Sequence, residues 1–192
     1  MNETQTKSSL LLKWILLVLV IVLIGYFGYL FYKNGFKMSG LVTKSALQNY
    51  QDGQQLVDQN NYKDALKYFE KASSQEPDNY NYLTKLAVCQ YNSGDYDSAI
   101  KTYEKLIKVS PNDAFIYNSL GNVYRDKDDK AKAKDYYKQA IAANSHFTIA
   151  YHNYAMVFVS EGDKADAVRI VEQGLAANPD STELQTTLQA VK

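Results

Sequence analysis

Hydrophobic residues follow two different patterns along the chain. From Trp14 to Tyr32, the stretch WILLVLVIVLIGYFGYLFY holds nineteen residues without a charge. A helix of that length reaches about 28 Å, close to the hydrocarbon thickness of a bilayer. After residue 45 the apolar positions recur every three or four residues, as in NSGDYDSAIKTYEKLIKVSPND at residues 92–113, which is typical of amphipathic helices. The pattern predicts one membrane-spanning helix followed by an all-helical domain.

The ends of the uncharged stretch fit an uncleaved membrane anchor. Trp14 lies at one end and Tyr26, Tyr29 and Tyr32 lie at the other, where aromatic rings favour the headgroup level. A cleavable signal peptide would end in small residues, which YLFYKNGFKMSG lacks, and a core helix would usually show a polar face. We predict an N-terminal tail at 1–13, a transmembrane helix at 14–32 and a linker at 33–45.

The charges beside this segment leave its orientation open. Lys7 and Lys13 precede it, and three lysines, Lys33, Lys37 and Lys44, follow it closely, so the positive-inside rule does not decide. A short positive tail before a first apolar span is typical of a signal anchor. We therefore expect the downstream domain on the extracytoplasmic side of the membrane, with the cytosolic side as the alternative.

The domain repeats with a period of 34 residues. Pro77, Pro111 and Pro179 fall on this period, with Ser145 in the remaining place. A fixed period of this length indicates a repeat array. The same spacing relates four alanines (Ala65, Ala99, Ala133, Ala167), four small residues (Gly53, Ala87, Gly121, Ala155) and four turn residues (Asn60, Gly94, Asp128, Gly162).

Each set of equivalent residues has a physical explanation. Small residues in a first helix and alanine in a second helix let two antiparallel helices approach closely. The Asn, Gly or Asp between them suits a turn residue with positive φ. Proline after the second helix ends the unit. Each period therefore predicts two antiparallel helices joined by a tight turn.

Two stretches resemble tetratricopeptide repeats: YLTKLAVCQYNSGDYDSAIKTYEKLIKVSPND and IYNSLGNVYRDKDDKAKAKDYYKQAIAANSHF. The resemblance implies a right-handed α-solenoid of four helix-turn-helix units at 46–181, divided into 46–79, 80–113, 114–147 and 148–181. Residues 182–192 would form the capping helix that such arrays require at an end.

Three units depart from the family pattern. In the first unit, Asn49 and Asp52 replace bulky and Leu-like residues, so we expect its first helix to be irregular or longer than usual. In the third unit, Asp128, Lys130 and Lys134 make the turn and the start of the second helix unusually charged. In the fourth unit, Gly174 replaces an alanine inside a helix, which costs about 1 kcal/mol of helix preference and must be offset by packing.

Composition indicates no catalytic chemistry. The 21 basic and 21 acidic residues balance, so no nucleic-acid partner is implied. His146 and His152 are the two histidines, Cys89 is the single cysteine, and phosphate-binding and metal-binding motifs are missing. We expect Cys89 to be a core thiol. The sequence therefore predicts a protein that is not an enzyme and uses no cofactor or metal.

The resemblance places function on the concave face formed by the first helices. Asn118 and Asn122, four residues apart, would hold a bound backbone with their amides, and Arg125 would meet a carboxylate. The predicted partner-binding residues are Thr84, Val88, Tyr91, Asn118, Asn122, Arg125, His152 and Met156, with Tyr50, Gln54, Val57 and Val159 at equivalent positions.

The sequence thus predicts a membrane-anchored scaffold that binds a peptide segment or a helix of a partner protein. The alternative is a structural subunit of a larger membrane complex, for example in secretion or envelope assembly, that associates through its span and its outer repeat surfaces. The partner, the biological process and the oligomeric state do not follow from the repeats.

Overall fold

The computed structural model describes Trp14, residues 17–23, 25–26, Tyr29 and residues 44–192. The chain divides into two compact units, residues 1–43 and 44–192. The described residues of the first unit are helical. No helix within the described part of the chain is long and apolar enough to cross a membrane. The predicted tail, part of the predicted span and the predicted linker up to residue 43 lie outside the described residues.

Residues 44–192 form nine helices and contain no strand. Five of them are first helices: α1 (Ala46–Asp58), α3 (Tyr80–Asn92), α5 (Ala114–Asp126), α7 (Thr148–Glu161) and α9 (Thr182–Val191). The other four are second helices: α2 (Tyr62–Gln75), α4 (Tyr96–Val109), α6 (Lys130–Ala143) and α8 (Lys164–Ala177). The predicted all-helical repeat fold is confirmed.

Helix starts follow the 34-residue period throughout. First helices begin at residues 46, 80, 114, 148 and 182, and second helices begin at 62, 96, 130 and 164. Consecutive helices pack on one another, and α9 packs on both α7 and α8. The last helix therefore stands where the first helix of a fifth unit would begin.

All four turns within the helix pairs adopt the predicted backbone conformation. The φ angles are 58° at Asn60, 62° at Asp128, 81° at Gly94 and 82° at Gly162. A positive φ is unfavourable for most residues and is tolerated best by Gly, Asn and Asp. The prediction of positive φ at these positions is confirmed.

Small residues on the first helices make room for large rings on the second helices. A β-carbon at Gly121 would lie 2.5 Å from the Tyr137 ring, and one at Gly53 would lie 2.9 Å from the Phe69 ring. The Tyr137 and Phe69 side chains are completely buried. Close approach at Gly53 and Gly121 therefore lets the first and third pairs bury these rings.

The core is divided unequally along the array. The largest cluster of buried residues joins the second, third and fourth units to α9. The first unit contributes to smaller clusters, in which Ala65 and Phe69 meet Leu86 and Cys89 of the second unit. The buried apolar residues of the first unit therefore belong to separate, smaller clusters and not to the main core of the array.

Helix α1 is regular, so the expectation of an irregular or longer first helix is wrong. It has 13 residues, as do α3 and α5. Ser45 and Gln48 form a capping box at its start. The buried Asn49 donates from Nδ2 to the Lys44 carbonyl at 3.2 Å. This hydrogen bond satisfies the amide and so accommodates a polar residue in a core position.

Packing explains Gly174. A β-carbon there would lie 2.8 Å from Cγ of Tyr151 and 2.9 Å from Cδ1 of Leu184. Leu184 belongs to α9, so the glycine lets the last helix seat against α8.

Polar residues cover both ends of the array. Gln48 and Gln55 of α1 are exposed, whereas the equivalent residues of later first helices are buried against the preceding unit. The residues equivalent to Gln48 are Tyr82, Ile116, Ala150 and Leu184. The residues equivalent to Gln55 are Cys89, Val123, Val157 and Val191. Gln189 of α9 is exposed at the position that Gly or Ala occupies in every unit. At these positions the two ends carry glutamine where the interfaces between units carry apolar or small residues.

Candidate functional site

The predicted binding residues lie on one face of the first helices, which we call the first-helix surface. It consists of the predicted residues of α1, α3, α5 and α7 and of the side chains one turn away from them on the same helix face. Most of the predicted residues on it are partly buried. Met156 is the most open, with 37% of its surface exposed, and Asn118 is the least, with 5%.

Hydrogen bonds between residues 33–35 positions apart join neighbouring first helices along this surface. They hold α3 to α5, α5 to α7 and α7 to α9. The pairs are Tyr80 with Asp113, Tyr91 with Asp126, Asn118 with Asn153, Thr148 with Glu183, and His152 with Thr187. Much of the polar capacity of the surface is therefore used within the array.

The residues of α5 form a polar cluster with Tyr91 of α3. The Tyr91 hydroxyl donates to Oδ2 of Asp126. Arg125 donates from Nε to the other Asp126 oxygen, at 2.8 Å. Burial and then the hydrogen bond to Asp126 raise the pKa of Tyr91 to about 12, so the phenol keeps its proton at neutral pH.

The cluster continues from Arg125 to α6. Asn122 accepts at Oδ1 from the Tyr137 hydroxyl at 2.7 Å and, more weakly, from Arg125 Nη1 at 3.4 Å. The Arg125 guanidinium is already paired with Asp126, and a carboxylate ligand would compete with that ion pair. The geometry therefore does not favour Arg125 as an open carboxylate site.

The structure limits the expected role of the two asparagines. Asn118 Oδ1 accepts from Asn153 Nδ2 at 3.0 Å. With the Oδ1 atoms of Asn118 and Asn122 both occupied, each amide keeps only its Nδ2 group without a partner among residues 44–192. The pair can donate to a bound carbonyl but does not present free acceptors for a bound N–H.

The second unit presents Thr84 and Val88, both partly buried. Thr84 Oγ1 is buried without a well-formed hydrogen bond to any described residue, although it lies near enough to the Tyr80 hydroxyl to influence its pKa. The first unit offers less, because Tyr50 packs against the rings of Phe69 and Tyr82. Gln54 donates to Asp58 at 3.0 Å.

Three exposed apolar residues outside the predicted set hold equivalent positions on first helices: Leu47 of α1, which is 56% exposed, Phe115 of α5 and Ile149 of α7. Phe115 is 40% exposed and Ile149 is 44% exposed, each at the second position of its helix. Ile149 precedes His152 and Met156 by three and seven residues, so the three share one helix face. A cleft of about 490 Å³ lies beside Phe115 and is also lined by Asn112, Ala143 and Phe147.

Neither the single cysteine nor the acidic and histidine side chains of the described residues form a reactive or metal-binding site. Cys89 is completely buried, and burial raises the pKa of its thiol to about 11, so it stays protonated. The described residues contain no group of three or more His, Cys, Asp or Glu side chains placed to hold a metal ion.

Sequence comparison identifies the class of protein. A family model described as tetratricopeptide repeat matches residues 56–120 and 125–191. The chain therefore belongs to the tetratricopeptide repeat family, whose fold is typically a non-enzymatic scaffold for protein–protein interaction. No curated protein gave a significant match to the sequence.

Solved structures with the same fold share little sequence with this chain. The MamA crystal structure has a TM-score of 0.64 at 22% identity, over 76% of this chain and 80% of MamA. TTC0263, a thermophilic TPR protein of Thermus thermophilus, has a TM-score of 0.61 at 23% identity, over 77% and 81%. YrrB, a TPR protein with an unusual peptide-binding site, has a TM-score of 0.57 at 17% identity, over 77% and 76%. At these identities the likeness shows the fold alone.

Proposed function

We propose that the protein is a membrane-anchored scaffold that binds a segment of a partner protein on the first-helix surface of its third and fourth units. The observation that carries this proposal is the exposure of Phe115, Ile149 and Met156 on one surface. Apolar side chains grouped on a surface and bordered by polar residues are typical of protein-binding sites.

The chemistry of this surface suits a short segment better than a large flat partner. Met156 is flexible and adapts to differently shaped apolar groups. The cleft beside Phe115 has room for a side chain, and the free Nδ2 groups of Asn118 and Asn122 can donate to carbonyls of a bound backbone. YrrB offers a parallel, because its structure is described as having a peptide-binding site.

Anchoring is supported by the uncharged stretch from Trp14 to Tyr32, whose length matches a bilayer. We place the repeats on the extracytoplasmic side because a short positive tail precedes this stretch. Protease treatment of intact cells tests the orientation with a C-terminal tag. Loss of the tag from intact cells, or after only the outer envelope is opened, agrees with an extracytoplasmic repeat domain. Protection of the tag until the cells are fully permeabilised contradicts this orientation.

The binding proposal is tested by replacing two exposed apolar residues. In the double variant Ile149→Ser and Met156→Ser, we expect cross-linked partner recovered from the membrane fraction to fall at least about tenfold, which corresponds to about 1.4 kcal/mol of binding free energy. Both side chains are at least one-third exposed, so the fold should be retained.

Val109→Ser is the matched control, because Val109 is an equally exposed apolar residue on the second helix α4. Unchanged recovery with the double variant, or an equal loss with Val109→Ser, would contradict the proposed site. Deleting residues 1–33 separates scaffold from assembly subunit: a scaffold retains partner capture in solution, and a subunit held through its span loses it.

A further inference from the structure

His152 has a defined hydrogen-bond partner on α9. Its Nδ1 atom lies 2.8 Å from Oγ1 of Thr187. The Thr187 hydroxyl also contacts the Glu183 carbonyl, at 2.9 Å. A carbonyl can only accept and a hydroxyl has one proton, so a Thr187 hydroxyl that donates to Glu183 accepts from His152. This arrangement favours the neutral imidazole that carries its proton on Nδ1.

The opposite ring nitrogen is then left as an acceptor. His152 is partly exposed, and its Nε2 has no hydrogen-bond partner in the described part of the chain. Among the described residues, Thr84 Oγ1 is the fully buried side-chain atom without a partner, so the unpartnered Nε2 of His152 is not fully buried. In a neutral imidazole whose Nδ1 carries the proton, Nε2 presents a lone pair.

We infer that α9 acts on the binding surface: through Thr187 it fixes the tautomer of His152, so that Nε2 is a preset acceptor for a hydrogen-bond donor of the partner. This inference rests on the proposed function. Thr187 is a positioning residue, because it acts through His152 and is itself 5% exposed.

The neighbours of His152 define the chemistry of the group that it receives. Ile149 lies one turn before it and Met156 one turn after it, and both are exposed. A group that fits here is apolar on its faces and carries one N–H, as the indole of a tryptophan does. An anion is disfavoured, because the lone pair of Nε2 would face it and because the Glu183 carboxylate is bound nearby to Thr148, at 2.8 Å.

The tautomer can be measured without any partner. In the full-length protein in detergent micelles, ¹⁵N imidazole spectra at about pH 8, where an unperturbed imidazole is neutral, distinguish a protonated from an unprotonated ring nitrogen. The chain has two histidines, so His146→Gln assigns the signals. We expect His152 to be protonated at Nδ1. A spectrum with the proton on Nε2 would overturn the inference.

Thr187 variants test the role of α9. Thr187→Val keeps the shape and removes the acceptor, and we expect the ratio of the Nδ1–H to the Nε2–H tautomer to fall about fivefold, as for loss of an ordinary hydrogen bond. Thr187→Ser restores a hydroxyl and should restore the spectrum. An unchanged ratio in Thr187→Val would show that Thr187 does not position His152.

A matched pair of probes tests the donor requirement. Indole and 1-methylindole have similar apolar faces, but only indole has an N–H. Each probe is titrated to a concentration on the order of 1 mM, which detects weak binding. We expect indole to shift the Nε2 signal of His152 and 1-methylindole to leave this signal in place. Equal shifts, or none with indole, would overturn the assigned chemistry. Because the tautomer is read without partner, failure of the proposed function would leave that result standing.

Discussion

At the residue scale, the space that a side chain leaves empty is as important as the space that one fills. Gly121 lies on α5 directly under the completely buried ring of Tyr137. A methyl group there would come within 2.5 Å of a ring that has no room to move away. The glycine is therefore required by packing, although glycine inside a helix is itself unfavourable.

Replacing this glycine should destabilise the fold. Alanine would gain about 1 kcal/mol of helix preference, but forcing it against a rigid ring costs up to about 3 kcal/mol. We expect Gly121→Ala to lower the free energy of unfolding by about 1–2 kcal/mol, measured by urea denaturation. The second change Tyr137→Leu should make the effect of Gly121→Ala smaller. Net stabilisation by Gly121→Ala alone would contradict the packing argument.

Residue types predicted backbone conformation better than side-chain pairing. Asn60 and Asp128 were expected to tolerate a positive φ, and both adopt one. The pairing of Arg125 with Asp126 was not foreseen, because adjacent residues on a helix usually point in different directions. Tyr91, which shares the Asp126 carboxylate, comes from the preceding unit 35 residues away. Such a contact depends on the tertiary arrangement of the helices.

At the scale of the element, polar caps define where helices begin. A side chain at the N-cap accepts a backbone hydrogen bond at every helix of residues 44–192 except α7, where Phe147 stands at the N-cap and packs toward Ala114 and Ala150 instead. The capping residues are Ser45, Asn61, Asn79, Asp95, Asp113, Asp129, Asp163 and Ser181.

Asp113 does more than cap its own helix. It accepts from the Phe115 backbone N–H at 2.9 Å and from the Tyr80 hydroxyl at 2.5 Å, so it joins α3 to α5. We expect Asp113→Ala to reduce the free energy of unfolding by about 2 kcal/mol, the sum of a lost cap and a lost hydrogen bond. Asp163→Ala, which removes a cap alone, should cost about 1 kcal/mol.

A double-mutant cycle separates the two roles of Asp113. If the Tyr80 contact contributes, Tyr80→Phe combined with Asp113→Ala should cost less than the two changes separately, by about 0.5–1.5 kcal/mol. Strict additivity in thermal or urea unfolding would show that Asp113 acts only as a cap.

The sequence predicted helix pairs well because the 34-residue period recurs in several independent sets of residues. It misjudged α1 because Asn49 looked out of place among core positions. The explanation is a hydrogen bond to the Lys44 carbonyl, which precedes the helix and belongs to no repeat pattern. A contact that occurs once leaves no trace in a repeating pattern.

At the scale of the array, the first unit is joined to its neighbour differently from the others. Hydrogen bonds link α3 to α5, α5 to α7 and α7 to α9. Between the side chains of α1 and α3, the described residues show ring packing of Tyr50 with Tyr82 and no hydrogen bond. The first unit also lies outside the largest core cluster.

This difference predicts the order in which the array opens. Repeat arrays are stabilised by contacts between neighbours. A unit outside the largest core cluster and without these hydrogen bonds is expected to open most often. We expect amides of α1 and α2 to exchange with deuterium faster than those of α5 and α6, and Tyr50→Ala to widen the difference. Equal protection of all units in the full-length protein would contradict this order.

The fold at this scale followed from the period, whereas the character of the binding surface did not. Phe115 and Ile149 could be read as exposed only after the helices were placed, since apolar residues in amphipathic helices are usually buried. The link from Thr187 through His152 likewise depends on α9 lying beside α7.

The glutamines at the two ends of the array also affect how many binding surfaces are joined in one particle. Gln48 and Gln55 at one end and Gln189 at the other place polar groups where the interfaces between units are apolar or small. Copies of the domain are therefore not expected to stack end to end into a fibre. Each chain then offers one binding surface of fixed length, whatever its concentration. A partner with several binding segments would therefore gather several separate chains and would not extend along a single polymer of them.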